Sequence, residues 1–379
     1  MAFGFFKKKQ EVEKAPEAKA SSSSVHYFNL RVREVIQETP DAFSIVFDHP
    51  ADKKITYKPG QFFTLIPTVD GAKVRRAYSV CTSPYTDPYP AVTVKRVEGG
   101  IVSNFLGDHL KAGDTLEVME PMGHFTIEPE ASRKRHIMLF GGGSGITPLM
   151  SIAKSILELE KGSQVSLIYA NRNEESIIFR KGFEELKQQH GNRFTIIHVL
   201  DQPPAGWTGP SGLLTPANLP ALIDQLPQWP ADAIEYYICG PEGLMICVEQ
   251  TLQALNIPKT QIHKESFVPG KADKAVEQLS GADAAGAAQA HEVTVILDGE
   301  EYKFTVEPDK TILETALSLD IDLPYSCQSG LCTACRGKCI SGKVRLVEDE
   351  GLSDQEKEEG YVLTCVGHPI TDNVVIEIG

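Results

Sequence analysis

Cys327, Cys332, Cys335 and Cys365 stand in a C-x4-C-x2-C…C array, the spacing that holds a plant-type [2Fe–2S] cluster. Two sulfide-bridged irons need four thiolates, and one tight loop can supply three of them only where small residues let the backbone wrap the cluster. Ser329 and Gly330 give that room, and the segment LPYSCQSGLCTACRGKC, Leu323 to Cys339, can aim backbone N–H groups at the sulfurs and offset part of their charge. A zinc knuckle would show paired C-x2-C ligands, whereas only Cys332 and Cys335 have that spacing. The chemistry expected is transfer of single electrons. Cys339 falls in the strand-like stretch GKCISGKVRLV and is expected to be a packed thiol.

A second set of residues suits a dinucleotide. GGGSGITP, Gly141 to Pro148, lies between a strand-like HIMLF and a helix-like LMSIAKSILELEKG, the context in which a glycine-rich turn offers bare N–H groups to a pyrophosphate. Gly143 and Gly145 would let phosphates approach, Thr147 would cap the helix, and Pro148 suits its first turn. The next strand, VSLIYA, is followed by Asn171 and Arg172, with Arg180 further on. An NAD site usually places an acid there for the ribose 2′-OH, while arginine suits a 2′-phosphate, so NADPH is favoured over NADH. Glu174 and Glu175 temper that preference, and the alternative for both arginines is a solvated loop.

Elements to position these residues are legible in the periodicities. Short alternating runs between His26 and Pro129 (FNLRVREVI, QFFTLIP, AVTVKRV) predict an antiparallel barrel. From Ser132 a strand, glycine-turn, helix series predicts a doubly wound parallel α/β sheet. After Ala290, EVTVILDGEEYKFTV predicts a hairpin around Asp298 and Gly299, with a helix at TILETALSLD. Between them PGKADKAVEQLSGADAAGAAQA, 269–290, has linker composition; a coil of that length spans roughly 26 Å. The domains expected are therefore a disordered tail over 1–25, a barrel over 26–131, an α/β domain over 132–268, the linker, and a cluster domain over 291–379.

The 379 residues suffice for two or three domains, and their net charge is −14. Residues from His291 on carry 7 basic and 18 acidic side chains, a balance that repels nucleic acid and either steers a basic partner toward the cluster or simply keeps the domain soluble. The opening MAFGFFKKKQ lacks the order and length of a signal peptide, and no apolar run reaches bilayer length. A reducing cytoplasm without stable membrane insertion is expected, since five of eight cysteines cluster in one segment.

RAYS (Arg76 to Ser79), EGGIVS (Glu98 to Ser103), GGGSGITP, the CGP of Cys239 to Pro241 and the ESF of Glu265 to Phe267 resemble ferredoxin–NADP reductase-type flavoproteins over about 26–269. With a ferredoxin segment behind them, the chain is similar to oxygenase reductases, including those of phenylacetyl-CoA epoxidase systems. The resemblance implies a flavin-binding barrel, a nicotinamide domain and a β-grasp ferredoxin domain. It implies that Arg76 pairs with a flavin phosphate, that Tyr78 lies against the isoalloxazine, and that Ser79 hydrogen-bonds near its N5. Gly100, Val102 and Ser103 would hold the pyrophosphate, and EGGIVS favours FAD over FMN. Cys239, Gly240 and Pro241 would border the nicotinamide, with Glu265 and Phe267 shielding the flavin; Ser79, Cys239 and Glu265 are the catalytic candidates. The function implied is electron transfer from NADPH through FAD and the cluster to an oxygenase of di-iron or Rieske type. A redox-sensing or metal-binding interaction module is the alternative of another class; it has to explain three cofactor motifs in one chain.

Overall fold

Alternation in the first strand places Leu30 and Val32 inside and their neighbours outside, and the same period-2 logic builds a six-stranded antiparallel sheet. Its strands are β1 (Tyr27–Thr39), β2 (Ala42–Phe47), β3 (Phe62–Ile66), β6 (Arg76–Ser79), β7 (Ala91–Lys95) and β8 (Thr115–Met122), in the order β6-β3-β8-β1-β2-β7. The small pair β4 (Thr68–Val69) and β5 (Ala72–Lys73) forms a separate ribbon. An antiparallel bridge between Val80 and Val92 joins the two edges and closes the barrel. Helix α1 (Ile101–His109) buries Val102 and Leu106, one turn apart, in the barrel core.

The computed structural model describes residues 26–267, 289–349 and 351–378. The tail expected over 1–25 and nearly all of the linker expected over 269–290 lie outside the described residues. Contacts divide the chain into two compact units, 27–267 and 289–378. The expected barrel and α/β domain therefore share one unit.

In that first unit the α/β half is a five-stranded sheet, all its register pairs parallel, in the order β11-β10-β9-β12-β13. The strands are β9 (His136–Gly142), β10 (Gln164–Asn171), β11 (Phe194–Leu200), β12 (Ile234–Cys239) and β13 (Ile262–Glu265). Helices α2 (Ile146–Leu159), α3 (Arg180–His190), α4 (Leu219–Ile223) and α5 (Glu242–Ala254) complete it. The apolar residues of α2 pack one face of the sheet beside Leu139, Leu167 and Tyr169, and those of α5 pack the other beside Phe140 and Ile238. The order reverses at β9, so a ligand crevice opens at the carboxyl ends of β10, β9 and β12. Buried Arg135, just before β9, bonds Glu160, Glu235 at 2.6 Å and the Glu128 carbonyl at 3.1 Å.

The second unit is a mixed five-stranded sheet, β15-β14-β20-β16-β18. Its strands are β14 (His291–Leu297), β15 (Glu300–Val306), β16 (Arg336–Ser341), β18 (Tyr361–Leu363) and β20 (Val374–Ile378), with β17 (Val344–Leu346) and β19 (Gly367–Pro369) paired separately. The hairpin turns at Asp298 and Gly299, both with positive φ, 50° and 86°, the chemistry a two-residue I′ turn demands. Helix α6 (Ile312–Ser318) begins with the reciprocal cap of Thr311 and Glu314, and α7 (Asp354–Glu358) with that of Ser353 and Glu356. Strand β14 pairs β15 antiparallel and β20 parallel.

Candidate functional site

The loop between α6 and β16 carries Cys327, Cys332 and Cys335, and Cys365 enters from the turn after β18. Cys332, Cys335 and Cys365 are buried, and Cys327 is half-buried. The Cys332 thiol donates to the Cys327 sulfur at 3.2 Å, and the Ser329 N–H donates to the same sulfur at 3.4 Å. Thr364 bonds the Cys335 carbonyl through both its N–H, at 3.1 Å, and its hydroxyl, at 3.2 Å. That tie fixes the distant fourth cysteine against the loop. Gly330 has φ +73°, and a Cβ on it would stand 2.7 Å from the Glu348 carbonyl oxygen. A Cβ on Gly351 would meet the Cys332 nitrogen at 2.7 Å, so two glycines let the wrapping chains touch.

Crowding sets the electrostatics of these thiols. Hydrogen bonds from Cys332 and Cys365 hold Cys327 well below an ordinary thiol, while donation to Cys327 and burial push Cys332 and Cys365 up. Metal ligation takes the thiolate form, so a cationic iron core would favour the ionised form of the raised Cys332 and Cys365 thiols. Among the described residues no three His, Cys, Asp or Glu side chains surround a single-ion site. The burial, the Ser329 N–H on sulfur and the closely approaching glycines fit a cluster. Cys339 lies apart on β16, its thiol donating to the Ser341 carbonyl at 3.3 Å, a packed thiol as expected.

Strand alternation on β6 sorts the flavin candidates. Arg76 is exposed and Tyr78 half-buried, while Ser79 is buried opposite Phe62. Burial pushes the Tyr78 phenol up to about 12. The Arg76 Nη1 donates to the Arg75 carbonyl at 2.8 Å. Gly100 is the N-cap of α1 and makes no side-chain cap, which leaves the helix start open to an anion. The Ser103 oxygen accepts from the Val97 N–H at 3.2 Å and keeps its own proton to donate. A Cβ at Gly100 would lie 2.7 Å from that oxygen. Val102 points into the core, so only its backbone is offered to a phosphate. An open helix start and a donor hydroxyl fit a flavin phosphate, and the exposed Arg76 guanidinium is of the type that pairs with one.

At the crevice, Gly143 turns with φ +51°, and its carbonyl accepts from the Tyr169 hydroxyl at 2.9 Å. Gly145 serves another purpose: a Cβ there would stand 2.2 Å from the Cys239 carbonyl oxygen. A Cβ on Gly240 would likewise lie 2.9 Å from the Gly142 nitrogen, and one on Gly142 would lie 2.6 Å from Pro241 Cδ. The glycine turn and the CGP turn thus touch backbone to backbone. Thr147 does not cap α2; Gly145 occupies the N-cap, and the Thr147 hydroxyl donates to the Ser144 carbonyl at 3.0 Å inside the turn. Pro148 sits in the first helical turn, where its missing N–H costs nothing.

A cavity of about 660 Å³ opens there, lined by Gly143, Asn171, Arg172, Ser176, Pro241 and Lys95 among others. Asn171 is buried beside the Tyr169 hydroxyl, and its carboxamide makes no hydrogen bond of normal geometry among the described residues, which fits a polar ligand. Arg172 lines this cavity, but Arg180 does not. Arg180 pairs with Glu174 at 2.5 Å and lines a separate cavity, so the two arginines expected at a 2′-phosphate stand at different cavities. Sequence reasoning missed Lys95, which enters from β7 and pairs with Asp41 at 3.6 Å. A lysine at a strand end carries no signal of a partner half a domain away.

Register brings the remaining three candidates together. Cys239 pairs Glu265 on the neighbouring parallel strand, and the Ser79 hydroxyl donates to a Glu265 oxygen at 3.5 Å. Burial and the Glu265 charge push the Cys239 thiol well up, so it is neutral. Phe267, two residues beyond, is half exposed at the end of the described stretch.

The chain matches the oxidoreductase FAD-binding domain over 28–127, the oxidoreductase NAD-binding domain over 139–250 and the 2Fe-2S iron-sulfur cluster binding domain over 295–369. It is 40% identical to the ferredoxin reductase component of 3-ketosteroid-9-alpha-monooxygenase from Rhodococcus rhodochrous, over 92% of this chain and 96% of that protein. It is 35% identical to one of the subunits of 1,2-phenylacetyl-CoA epoxidase from Escherichia coli strain K12, over 93% and 97%. Phthalate dioxygenase reductase shares the fold, with a TM-score of 0.56 at 24% identity over 93% of this chain and 98% of that one. The chain belongs to the ferredoxin–NADP reductase-type flavoproteins with a C-terminal [2Fe–2S] ferredoxin domain, oxidoreductases that pass electrons from NAD(P)H through FAD to the cluster and that include reductase components of oxygenase systems.

Proposed function

We propose that this protein is the NADPH-dependent reductase component of a cytoplasmic oxygenase, most like the phenylacetyl-CoA epoxidase system. The observation that carries the reading is the junction of Ser79, Cys239 and Glu265, where the flavin strand meets the carboxyl edge of the nucleotide sheet in a chain that also holds four clustered thiols. When bound, the flavin accepts electrons as a hydride and the cluster hands them on singly.

The chain's own residues orient and shield. Glu265 holds the Ser79 hydroxyl, which is thereby directed as a polar group of fixed orientation at the flavin strand. Neutral, buried Cys239 borders the hydride path without offering a competing charge. Arg76, Ser103 and the open start of α1 hold flavin phosphates, Gly143 and α2 hold the nucleotide pyrophosphate, and Arg172 on the cavity wall supports the choice of NADPH over NADH. The thiols of Cys327, Cys332, Cys335 and Cys365 ligate the cluster. No helix among the described residues is long and apolar enough to cross a membrane.

A second reading is reductase for a Rieske-type hydroxylase or demethylase, which uses the same three cofactor sites; the 40% identity to the ketosteroid monooxygenase component favours a partner other than an epoxidase. Reconstitution separates the two. Support of aromatic acyl-CoA epoxidation by a di-iron epoxidase bears out the first; turnover only of Rieske oxygenases bears out the second.

A further inference from the structure

Within residues 27–267 the nicotinamide half and the flavin half must be held in register if a hydride is to cross between them. One face of α2 carries a cluster of polar bonds between them, in addition to the Ser79–Glu265 bond and the Arg135 bond to the Glu128 carbonyl. The Ser151 hydroxyl donates to the Thr82 carbonyl at 2.6 Å, and the Ser155 hydroxyl bonds the Ser83 hydroxyl at 2.8 Å. Lys154 reaches both oxygens of Asp87, at 2.9 and 3.1 Å. Positions 151, 154 and 155 are one helical turn apart, so a single face carries all three bonds. Both serines are fully buried, and the ion pair is largely so, with side-chain exposures of 26% and 23%.

Each end of this contact leads to a cofactor segment. Helix α2 starts at the Gly143–Gly145 turn. Loop 82–87 follows two residues after β6, which bears Arg76, Tyr78 and Ser79. The loop is itself pinned to the barrel: the Thr82 hydroxyl bonds the Tyr57 hydroxyl at 2.8 Å and accepts from the Ala91 N–H at 3.0 Å, and Asp87 accepts from the Ser83 N–H at 2.7 Å. Beside the contact the junction is open. A cavity of about 1200 Å³ is lined by Thr82, Asp87, Met150 and Lys154, and also by Glu38 and Phe179. Ala42, Phe125 and Ile127 of the barrel half pack into the α/β core, and on the cavity side the bonds of α2 add to that packing.

We propose that Lys154, Ser151 and Ser155 with Asp87, Thr82 and Ser83 form a positioning latch that sets the register between the dinucleotide helix and the flavin strand. None of the six is offered as touching a cofactor. The latch acts through α2 and β6, and it rests on the reading of this unit as a nucleotide-to-flavin hydride site.

The test uses the full-length, cofactor-loaded protein. Lys154→Met and Asp87→Asn are expected to slow flavin reduction by saturating NADPH about tenfold, because small misplacement of reacting groups is costly. They should weaken the long-wavelength absorbance of the nucleotide–flavin complex, speed hydrogen exchange over 82–87 and 146–155, leave KM within about twofold and leave electron passage to the cluster unchanged. The swap Asp87→Lys with Lys154→Asp should recover most of the rate. Ser151→Ala, a milder change in a helix that keeps its packing, applies the same readouts if the charge variants do not accumulate. Variants that reduce flavin and form the complex as wild type does, while only melting earlier, overturn the latch. A wild-type protein whose flavin NADPH cannot reduce would instead overturn the underlying reading.

Discussion

The Ser79 hydroxyl lies 3.5 Å from the Glu265 carboxylate although 186 positions separate them, and the bond crosses from a barrel strand to the edge strand of a different sheet. Each residue alone is an ordinary strand-end side chain. Together they mark where the flavin half meets the nucleotide half, with Cys239 in register beside Glu265.

Ser79→Ala is therefore expected to slow flavin reduction by NADPH on the order of 10²-fold, the scale of losing one oriented polar group at a reacting centre. Melting should change little, since one net hydrogen bond contributes about 1 kcal/mol. Stopped-flow absorbance with a parallel melt separates the two effects.

Cys365→Ser should abolish the cluster's visible and EPR signals while NADPH still bleaches the flavin. Cys339→Ser should leave both intact, because that thiol bonds the nearby Ser341 and Gly342 carbonyls. Iron content of the purified variants is the direct check.

Arg172→Ala should raise the KM for NADPH about tenfold and leave that for NADH nearly unchanged, the loss expected for about 1.4 kcal/mol of phosphate pairing. Equal effects on both nucleotides would place the guanidinium away from the 2′-phosphate. Arg180→Ala is expected to change neither, since Arg180 is turned to Glu174.

Two glycines on the nucleotide side should respond in opposite directions. Gly145→Ala places a methyl 2.2 Å from the Cys239 oxygen and is expected to destabilise by about 2 kcal/mol or more. Gly243→Ala, in α5 with no heavy atom within 4 Å of the new carbon, is expected to stabilise by about 0.5–1 kcal/mol through helix propensity. Denaturant midpoints measure both.

Glu235 supplies a pH dependence. His263 and then Arg135 hold its carboxylate down to about 2, against the opposing effect of burial and from an unfolded value of 4.5. A depressed folded value stabilises fully above 4.5 and is lost as pH falls toward 2, a contribution on the order of 2 kcal/mol. Unfolding free energy of the wild type should fall over that window more steeply than that of Glu235→Gln.

The local chemistry of this fold was legible in the sequence because it is short-range. The three-cysteine loop, the Asp298–Gly299 turn and the glycine turn before α2 are each written within a dozen residues. What could not be read depends on which strands become neighbours. Thr147 has the composition of a cap, yet Gly145 takes that place because the turn must press on Cys239. Arg180 has the charge for a phosphate, yet a left-handed Phe179 starts α3 and Glu174 holds the guanidinium elsewhere. Lys95, Asn171 and the Lys154–Asp87 pair gain meaning only once β7, β10 and α2 are assembled.

The most direct measurement is anaerobic addition of NADPH to the fully loaded protein, followed by optical and EPR spectra of the same sample. Electron flow from nucleotide through flavin to the four-cysteine centre predicts loss of flavin absorbance together with a low-temperature EPR signal from the reduced iron pair. Bleached flavin beside an EPR-silent cluster that dithionite can still reduce would contradict it.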